Sequence, residues 1–181
     1  MKALLIVDVQ NDFLPNGSLG VKDGDKIIPI INHLIEHFPI VLASKDWHPE
    51  KTVHFDIWPI HCVADTKGAA FPSELNDKKI QQIFYKGTDN KDDGYSAFEA
   101  TNKNLAAYLR EKHVSELYVS GIATDYCVKA SVMDALKENF KTYVITDAIK
   151  PVNQNPGDDI KALNALEKEG AILITSQDIL K

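Results

Sequence analysis

The sequence contains little cysteine and no long hydrophobic run. Its 181 residues include only two cysteines, Cys62 and Cys127, which could form one disulfide at most. A chain of this length does not need a disulfide framework, so we expect both to be free thiols. Apolar runs such as ALLIV and IIPII are far shorter than the roughly 20 residues that cross a bilayer. The sequence therefore predicts no transmembrane helix and no membrane partner.

Positive charge is also scarce. The chain has 20 Lys and Arg against 26 Asp and Glu, a formal net charge of −6, and its lysines are scattered. A surface without a basic excess does not attract a phosphate backbone, so we expect no nucleic-acid partner. The N-terminus enters a strand-like run directly, without the small-residue cleavage site of a secretory signal, which predicts a cytoplasmic protein.

The length and the hydrophobic content favour one well-packed domain. A chain of 181 residues with 44% hydrophobic content is long enough for one buried core and short for two complete ones. We therefore expect residues 1–181 to form a single domain. No internal repeat or low-complexity tract divides it. The sequence leaves open whether the domain forms a homo-oligomer.

Apolar segments rich in β-branched residues alternate with segments of helical periodicity. The predicted strands are 3–9, 40–44, 83–86, 116–122, 142–148 and 171–175. The predicted helices are 27–38, 102–113, 125–139 and 158–169. Continuous apolar strands separated by amphipathic helices indicate a parallel sheet that is covered on both faces. The expected fold class is α/β, a three-layer α/β/α arrangement with a doubly wound, mainly parallel sheet of about six strands.

The connection from 45 to 72 interrupts this alternation. Loops longer than about 12 to 15 residues are usually functional or disordered, and this one is too aromatic for disorder. Its stretch DWHPEKTVHFDIWPIHC, from Asp46 to Cys62, contains three of the six histidines. At this point it is either a metal site or a polar, proline-punctuated loop. His33 and His37 have the i, i+4 spacing of a helical metal site, but we expect them to face solvent.

Polar groups from distant parts of the sequence are predicted at one edge of the sheet. They are Asp8 at the end of the first strand, Asp46 and His48 after the second, Lys86 ending the third, and Cys127 after the fourth. Ligands of open parallel sheets bind outside the carboxyl ends of the strands. Singly, such residues are usually turn formers, solvated cations or packed thiols. Together they offer a nucleophilic thiol, a group that takes its proton and a charge that favours the thiolate.

Cys127 is also predicted to lie in the first turn of a helix. Backbone N–H groups and the positive end of the helix dipole would then surround the sulfur, which favours a lowered thiol pKa. The same N–H groups could accept the negative charge that develops on a carbonyl oxygen under attack. Thr124 or Asp125 is the expected cap of this helix.

Two further motifs are rejected. DNKDDG at 89–94 is similar to a calcium loop, but Lys91 occupies a ligand position and Ala100 stands at the twelfth position in place of Glu. YVSGIA is similar to a serine nucleophile elbow, but Tyr118 replaces the first glycine of G-x-S-x-G. The sequence therefore predicts neither a calcium site nor Ser120 as a nucleophile.

Five blocks in the sequence resemble a known family. They are IVDVQNDF, DWH with a further histidine six positions on, WPIHCV, FYKG and GIATDYCV. In this order, and over nearly the whole chain, they resemble the nicotinamidase branch of the isochorismatase-like cysteine hydrolase family. The resemblance implies the isochorismatase-like hydrolase fold and a metal-assisted cysteine amidohydrolase that converts nicotinamide to nicotinate and ammonia in NAD salvage. We also expect pyrazinamide to be a substrate.

The resemblance assigns roles to the residues at the edge of the sheet. Asp8 would take the thiol proton and return it to the departing ammonia, and Lys86 would keep Asp8 ionised. Cys127 would attack the carboxamide carbon and form a thioester that water then cleaves. The N–H groups of Ala123 and Cys127 would form the oxyanion hole, and the peptide bond between Ile122 and Ala123 would be cis.

The resemblance also implies a metal site in the long connection. Asp46, His48 and His61 would bind a divalent metal, with His54 matching a fourth ligand found in some members. A carboxylate with imidazoles and open positions suits zinc, which we expect first, with iron and manganese as alternatives. The metal would hold the pyridine nitrogen of the substrate. Cys62 would pack and would not be a ligand.

Five residues match the substrate pocket of the family. Phe13, Trp58 and Tyr95 are aromatic and could enclose a flat pyridine ring, although each could equally be a core residue. Ile122 and Ala123 would line the same pocket beside the nucleophile.

Three alternative functions remain at this point. The nearest is a sister cysteine amidohydrolase of the same family that acts on another small amide or carbamoyl compound. His48 and His61 argue against it, because such substrates offer no ring nitrogen. The isochorismatase branch cleaves a vinyl ether without a cysteine, which disagrees with the intact GIATDYC. The third is a non-catalytic binding domain on the same fold, which the retained triad argues against.

Overall fold

The fold is organised around a six-stranded sheet in the computed structural model, which describes residues 1–180. The strands are β1 Lys2–Val7, β2 Ile40–Asp46, β3 Gln82–Lys86, β4 Glu116–Ile122, β5 Lys141–Lys150 and β6 Ile172–Ile174. The α-helices are α1 Ile28–Ile35, α2 Leu105–Glu111, α3 Lys129–Lys137 and α4 Asp158–Lys168. The strand order is β3-β2-β1-β4-β5-β6 and every neighbouring pair is parallel, which confirms the predicted doubly wound sheet.

Both faces of the sheet are buried, as the continuous apolar strands predicted. Alternate residues of β1 enter two separate cores: Leu5 faces one and Leu4 the other. Helices α2, α3 and α4 cover the first core. Helix α1 and parts of the connection between β2 and β3 cover the second. The arrangement therefore has three layers, and one outer layer is only partly helical.

The segment between β4 and α3 differs from the prediction. Residues Thr124–Val128 form a π-helical turn, and the N-cap position is Ala123. The prediction that Thr124 or Asp125 caps this helix is wrong. The carboxylate of Asp125 instead accepts the backbone N–H groups of Val152 and Asn153, at 2.9 and 2.8 Å. This side chain therefore fixes the chain after β5 and does not cap the helix.

The QND tripeptide after β1 holds the long connection in place. The amide of Gln10 donates to the carbonyls of Asp46 and Ala69, at 2.8 and 3.0 Å, and its oxygen accepts the N–H of Asp46 at 2.9 Å. Oδ2 of Asp12 accepts the N–H of Cys62 at 2.7 Å. These hydrogen bonds fix both ends of the histidine-rich stretch, at Asp46 and Cys62, to the residues that follow β1.

Three further expectations agree with the structure. Cys62 and Cys127 are both buried free thiols. His33 on α1 and His37 just after its end are both exposed, as expected for solvent-facing residues. Within residues 1–180, no helix has the length and apolar character needed to cross a membrane.

Candidate active site

Three residues predicted to form a triad converge at the point where strand order reverses. Asp8 directly follows β1, Lys86 ends β3, and Cys127 lies in the π-helical turn after β4. Nζ of Lys86 lies 2.8 Å from Oδ2 of Asp8 and 3.4 Å from Sγ of Cys127. All three side chains are buried. Asp8 has a φ of 48°, a left-handed conformation that aspartate adopts more readily than most residues.

The hydrogen bonds of this cluster leave one carboxylate oxygen open. The ammonium group of Lys86 donates to Oδ1 of Asp46, to the carbonyl of Gly94 and to Sγ of Cys127. Ser44 donates to Oδ1 of Asp8 at 2.7 Å. Oδ2 of Asp8 forms an ion pair with the Lys86 ammonium at 2.8 Å, and it has no other polar partner among the described residues. A carboxylate oxygen has two lone pairs, so Oδ2 can still accept a proton from a neighbouring group.

The thiol pKa differs from the prediction. Burial raises the pKa of Cys127 well above its usual range, and the nearby carboxylates of Asp8 and Asp46 add to this, while Lys86 acts in the opposite direction. The expectation of a lowered pKa is therefore wrong, because the sulfur is enclosed in the core beside two carboxylates. Burial also raises the pKa of Asp8, against the opposing charge of Lys86. The resting thiol is neutral, so its attack requires an adjacent proton acceptor.

Asp46 and Lys86 are both charged in this environment. Burial by itself would raise the pKa of Asp46, but the charge of the Lys86 ammonium beside it holds this pKa well below its usual range. Burial by itself would lower the pKa of Lys86, but the carboxylates of Asp46 and Asp8 raise it well above its usual range. The site therefore contains a buried ammonium between two carboxylates.

Three histidines of the long connection surround a common point beside this cluster. One ligand atom from each of His48, His54 and His61 lies within 4.8 Å of the others, and all three side chains are buried. A bridge between His48 and Val63 brings the two ends of the stretch together. Gly87 makes room for the ring of His48: its φ is 64°, and a Cβ there would lie 2.5 Å from Cε1 of that ring.

Each of these imidazoles is oriented through its Nδ1 atom. Nδ1 of His48 bonds the carbonyl of Gly87 at 2.8 Å, and Nδ1 of His61 bonds the carbonyl of Pro59 at 2.6 Å. Because a carbonyl only accepts, these Nδ1 atoms carry the proton and the Nε2 lone pairs remain free. Nε2 of His48 is buried without a partner within residues 1–180. An orphaned buried acceptor next to two other imidazoles fits a divalent metal ion.

Asp46 is the carboxylate at this point. Its Oδ2 lies 3.6 Å from Nε2 of His48 and 3.8 Å from Nε2 of His61. Two ligand atoms about 2.1 Å from one ion lie roughly 3 to 4.2 Å apart, so these separations suit a shared metal. A second group of possible ligands, Asp8, Asp46 and Cys127, surrounds a different point. The ammonium of Lys86 contacts all three of these residues, so a second metal would meet a buried positive charge.

One pocket connects the thiol and the imidazoles. It encloses about 490 Å³ including its open mouth and is lined by Cys127, Asp46 and the three histidines. All five residues expected at the substrate line it as well: Phe13, Trp58, Tyr95, Ile122 and Ala123. Nε1 of Trp58 donates to the hydroxyl of Tyr95 at 3.0 Å, so these two aromatic side chains form one wall. A flat ring in this pocket would lie between apolar walls, with the thiol and the imidazoles both in reach.

The backbone around Ala123 and Cys127 also borders this space. The Ile122–Ala123 peptide bond is cis, as the resemblance implied. The carbonyl of Ala123 accepts the N–H groups of Tyr126 and Val128. The N–H of Ala123 has no backbone acceptor in the described chain, and that of Cys127 bonds neither preceding carbonyl, of Ile122 or of Ala123. The N–H of Ala123 is therefore available to an oxyanion, and Cys127 lies in the adjoining π-helical turn.

The sequence did not indicate several residues of the pocket. Leu19, Val21, Tyr126 and Val152 also line it, and each is an apolar or aromatic residue with no local signal that separates it from a core residue. Asp92 contacts His54 at 2.8 Å and lies in the DNKDDG segment. That segment was rejected as a calcium site, and its clustered carboxylates were the signal that could have identified a partner for a histidine.

Comparison with known proteins identifies the family. A model of the isochorismatase domain matches residues 2–178. The nicotinamidase of Escherichia coli K12 is 37% identical over 204 residues, covering 98% of this chain and 96% of its own.

Solved structures agree with this assignment. The pyrazinamidase of Pyrococcus horikoshii, a complex with zinc, has a TM-score of 0.87 at 40% identity, with 96% of this chain and 98% of that chain covered. PnC1 from L. infantum, in complex with nicotinate, has a TM-score of 0.92 at 33% identity, with 98% and 93% covered. With its parallel sheet and its pocket between thiol and imidazoles, the chain belongs to the isochorismatase domain family.

Proposed function

We propose that this protein is a nicotinamidase, a metal-assisted cysteine amidohydrolase that converts nicotinamide to nicotinate and ammonia and so acts in NAD salvage. The observation that carries the proposal is the shared pocket: the Cys127 thiol and three imidazole nitrogens line one apolar space. An amide carbon can thus lie at the sulfur while a ring nitrogen on the same flat substrate faces the imidazoles. The E. coli relative and the nicotinate complex of the L. infantum protein support this substrate.

The proposed chemistry begins with a proton transfer. Oδ2 of Asp8 accepts the thiol proton of Cys127 as the sulfur attacks the carboxamide carbon. The resulting tetrahedral species collapses to a thioester, and the proton on Asp8 passes to the departing nitrogen, which leaves as ammonia. Water then cleaves the thioester, giving nicotinate and restoring the thiol. The raised pKa of Asp8 suits a group that must both take and return a proton.

The remaining residues of the triad region hold charges in place. The ammonium of Lys86 contacts the carboxylates of Asp8 and Asp46 and the sulfur of Cys127. It therefore holds Asp8 and Cys127 close together and stabilises the negative charge that moves between them. The N–H groups of Ala123 and Cys127 are proposed to receive the oxyanion. Because these groups are fixed before substrate binds, they need no reorganisation during attack.

Asp46, His48, His61 and His54 are the proposed ligands of the metal. When bound, a divalent ion supplies a Lewis-acidic position for the ring nitrogen of the substrate. Zinc is proposed first, because imidazole and carboxylate suit it and the P. horikoshii relative was solved with zinc; iron and manganese remain alternatives. Phe13, Trp58, Tyr95 and Ile122 are proposed to enclose the ring.

The alternative of a sister amidohydrolase is less well supported. Such an enzyme needs the triad but gains nothing from three buried imidazoles with free Nε2 atoms, and an orphaned buried nitrogen such as Nε2 of His48 is costly without a ligand. We also propose that residues 1–181 form a single domain and that the protein acts in the cytoplasm. Pyrazinamide is a proposed second substrate, and a homo-oligomer stays a prediction to be measured.

A pair of substrates tests the proposal. Purified protein loaded with Zn²⁺ is expected to release ammonia from nicotinamide and to act far more slowly on benzamide. Benzamide has an aromatic ring of the same size and the same carboxamide, but its ring contains no nitrogen. Comparable rates on both would show that the imidazole cluster does not recognise the ring. No release from nicotinamide, with hydrolysis of another small amide, would favour the sister enzyme.

A further inference from the structure

A carboxylate outside the proposed triad connects one imidazole to the wall of the pocket. Oδ1 of Asp92 bonds Nδ1 of His54 at 2.8 Å and accepts the hydroxyl of Tyr95 at 3.1 Å. That hydroxyl accepts Nε1 of Trp58 at 3.0 Å. Since a carboxylate only accepts, Nδ1 of His54 carries the proton and its Nε2 lone pair stays free. Four side chains therefore form one continuous hydrogen-bonded chain.

His54 differs from the other two imidazoles in this partner. His48 and His61 bond backbone carbonyls, of Gly87 and Pro59, whereas His54 bonds a charged side chain. A carboxylate behind an imidazole fixes its orientation and increases the basicity of its free nitrogen. The orientation of the His54 ring thus depends on one side chain, Asp92, which a substitution can remove. The resemblance gives His54 as a ligand in only some members of the family.

The surroundings of Asp92 are fixed by contacts between two segments, 52–58 and 89–95. The N–H of Val53 donates to Oδ1 of Asn90 at 2.8 Å, and Trp58 and Tyr95 are bonded to each other. The side chain of Asp92 is 37% exposed, and Asp92 contacts the pocket residues His54 and Tyr95 without lining the pocket itself. It can therefore hold both segments together without touching the reacting atoms.

We propose that Asp92 is a positioning residue that couples the metal site to the aromatic wall: it orients His54 as a ligand and holds Tyr95 and Trp58 against the substrate ring. The inference deepens the proposed function and rests on it for the identity of the ring. Its first consequence, for metal affinity, holds whatever the substrate is.

The test measures Zn²⁺ affinity of metal-free protein by competition with a chromogenic chelator. Asp92→Ala is expected to weaken Zn²⁺ binding by about 10- to 100-fold, the usual cost of losing such a partner. Asp89→Ala is the matched control, because Asp89 lies in the same segment and, within residues 1–180, its side chain forms an ion pair only with the exposed Lys91. Asp92→Asn keeps an oxygen acceptor and is expected to recover part of the lost affinity.

Kinetics provide the second readout. Asp92→Ala in zinc-saturated protein is expected to raise KM for nicotinamide by more than it lowers kcat, because Asp92 holds the wall and not the carboxamide. Tyr95→Phe removes the shared hydroxyl and should raise KM while changing Zn²⁺ affinity less than Asp92→Ala does, since His54 keeps Asp92. Thermal unfolding of each variant verifies that it is folded.

The outcomes separate this inference from the proposed function. Zinc affinity of Asp92→Ala equal to that of Asp89→Ala would overturn the inference, even if nicotinamide is hydrolysed. So would a fall in kcat with no change in KM. If wild-type protein binds Zn²⁺ and Asp92→Ala weakens it, but nicotinamide is not hydrolysed, the proposed substrate fails while the positioning role of Asp92 on His54 stands.

Discussion

Replacement of Lys86 by methionine tests the charge arrangement at the centre of the site. Methionine has nearly the same length and volume, so Lys86→Met removes the ammonium without opening a large cavity. The side chain of Lys86 is 0% exposed, and its partners Asp8 and Asp46 are 0% and 7% exposed. The variant therefore leaves two buried carboxylates close together with no counter-charge.

The cost can be estimated from this burial. Removing one partner of a buried ion pair typically destabilises a protein by about 3–5 kcal/mol, because the remaining charge stays desolvated. For a chain of this size, 1 kcal/mol changes Tm by about 2–4 °C, so Tm should fall by roughly 6–20 °C. Urea unfolding followed by circular dichroism measures the free energy, and ammonia release measures the accompanying loss of activity.

A surface lysine supplies the control. Lys79 forms an ion pair with Glu36, but both side chains are about half exposed, at 51% and 45%. Such pairs contribute about 0–1 kcal/mol, so Lys79→Met should change stability little. Adding Asp8→Asn to Lys86→Met should restore part of the lost free energy, because it removes one of the two unpaired carboxylates. If Lys86→Met unfolds within about 1 kcal/mol of Lys79→Met, the reasoning about a buried charge cluster is refuted.

Three further predictions concern the proton acceptor, the backbone and the metal. Asp8→Asn should lower kcat for ammonia release by about 10²- to 10⁴-fold with the fold retained; a smaller loss would remove it as the base. Gly94→Ala should lower the free energy of unfolding in urea by about 1–3 kcal/mol, because the added Cβ would lie 2.4 Å from the backbone N of Gly87. Gly157→Ala is the control: Gly157 has a similar positive φ but open space around it, so this variant should lose less free energy of unfolding. Zn²⁺ at 100 times its Kd should stabilise metal-free protein by about 2.7 kcal/mol in thermal unfolding, and His61→Ala should abolish most of this gain; an unchanged gain would exclude His61 as a ligand.

The sequence predicted the sheet well because its strands are buried on both sides. The limits of β4, Glu116–Ile122, agree with the predicted 116–122, and α4 differs by one residue at its end. Helix α2 is shorter than predicted, since Asn104 caps it by accepting the N–H of Ala107 at 2.8 Å. The start of α2 is thus set by a hydrogen bond to a side chain, which hydrophobic periodicity does not predict.

The sequence predicted those residues of the candidate site that lie at the carboxyl ends of strands, where ligands of parallel sheets bind. Asp8, Lys86 and Cys127 follow or end strands, so the rule for parallel sheets places them at one edge of the sheet from the sequence alone. The pKa of Cys127 was not predictable in the same way. Its direction depends on how completely the sulfur is buried and on two carboxylates from other strands, and neither is visible in the local sequence.

The role of Asp92 shows a second limit. It lies 38 residues from His54 along the chain, in the irregular segment 87–96 that follows β3. The rule that places site residues at strand ends does not predict the position of such a residue. Only the packing of the segment 89–95 against the long connection brings the carboxylate to the imidazole.

The most direct test of the central claim is ammonia release from nicotinamide by the zinc-loaded wild-type protein and by Cys127→Ala at equal concentration. The account predicts release by the wild type and none above background by Cys127→Ala, with both proteins showing the same circular dichroism spectrum. Undiminished release by a folded Cys127→Ala variant would contradict it, because the thiol would then not be the nucleophile.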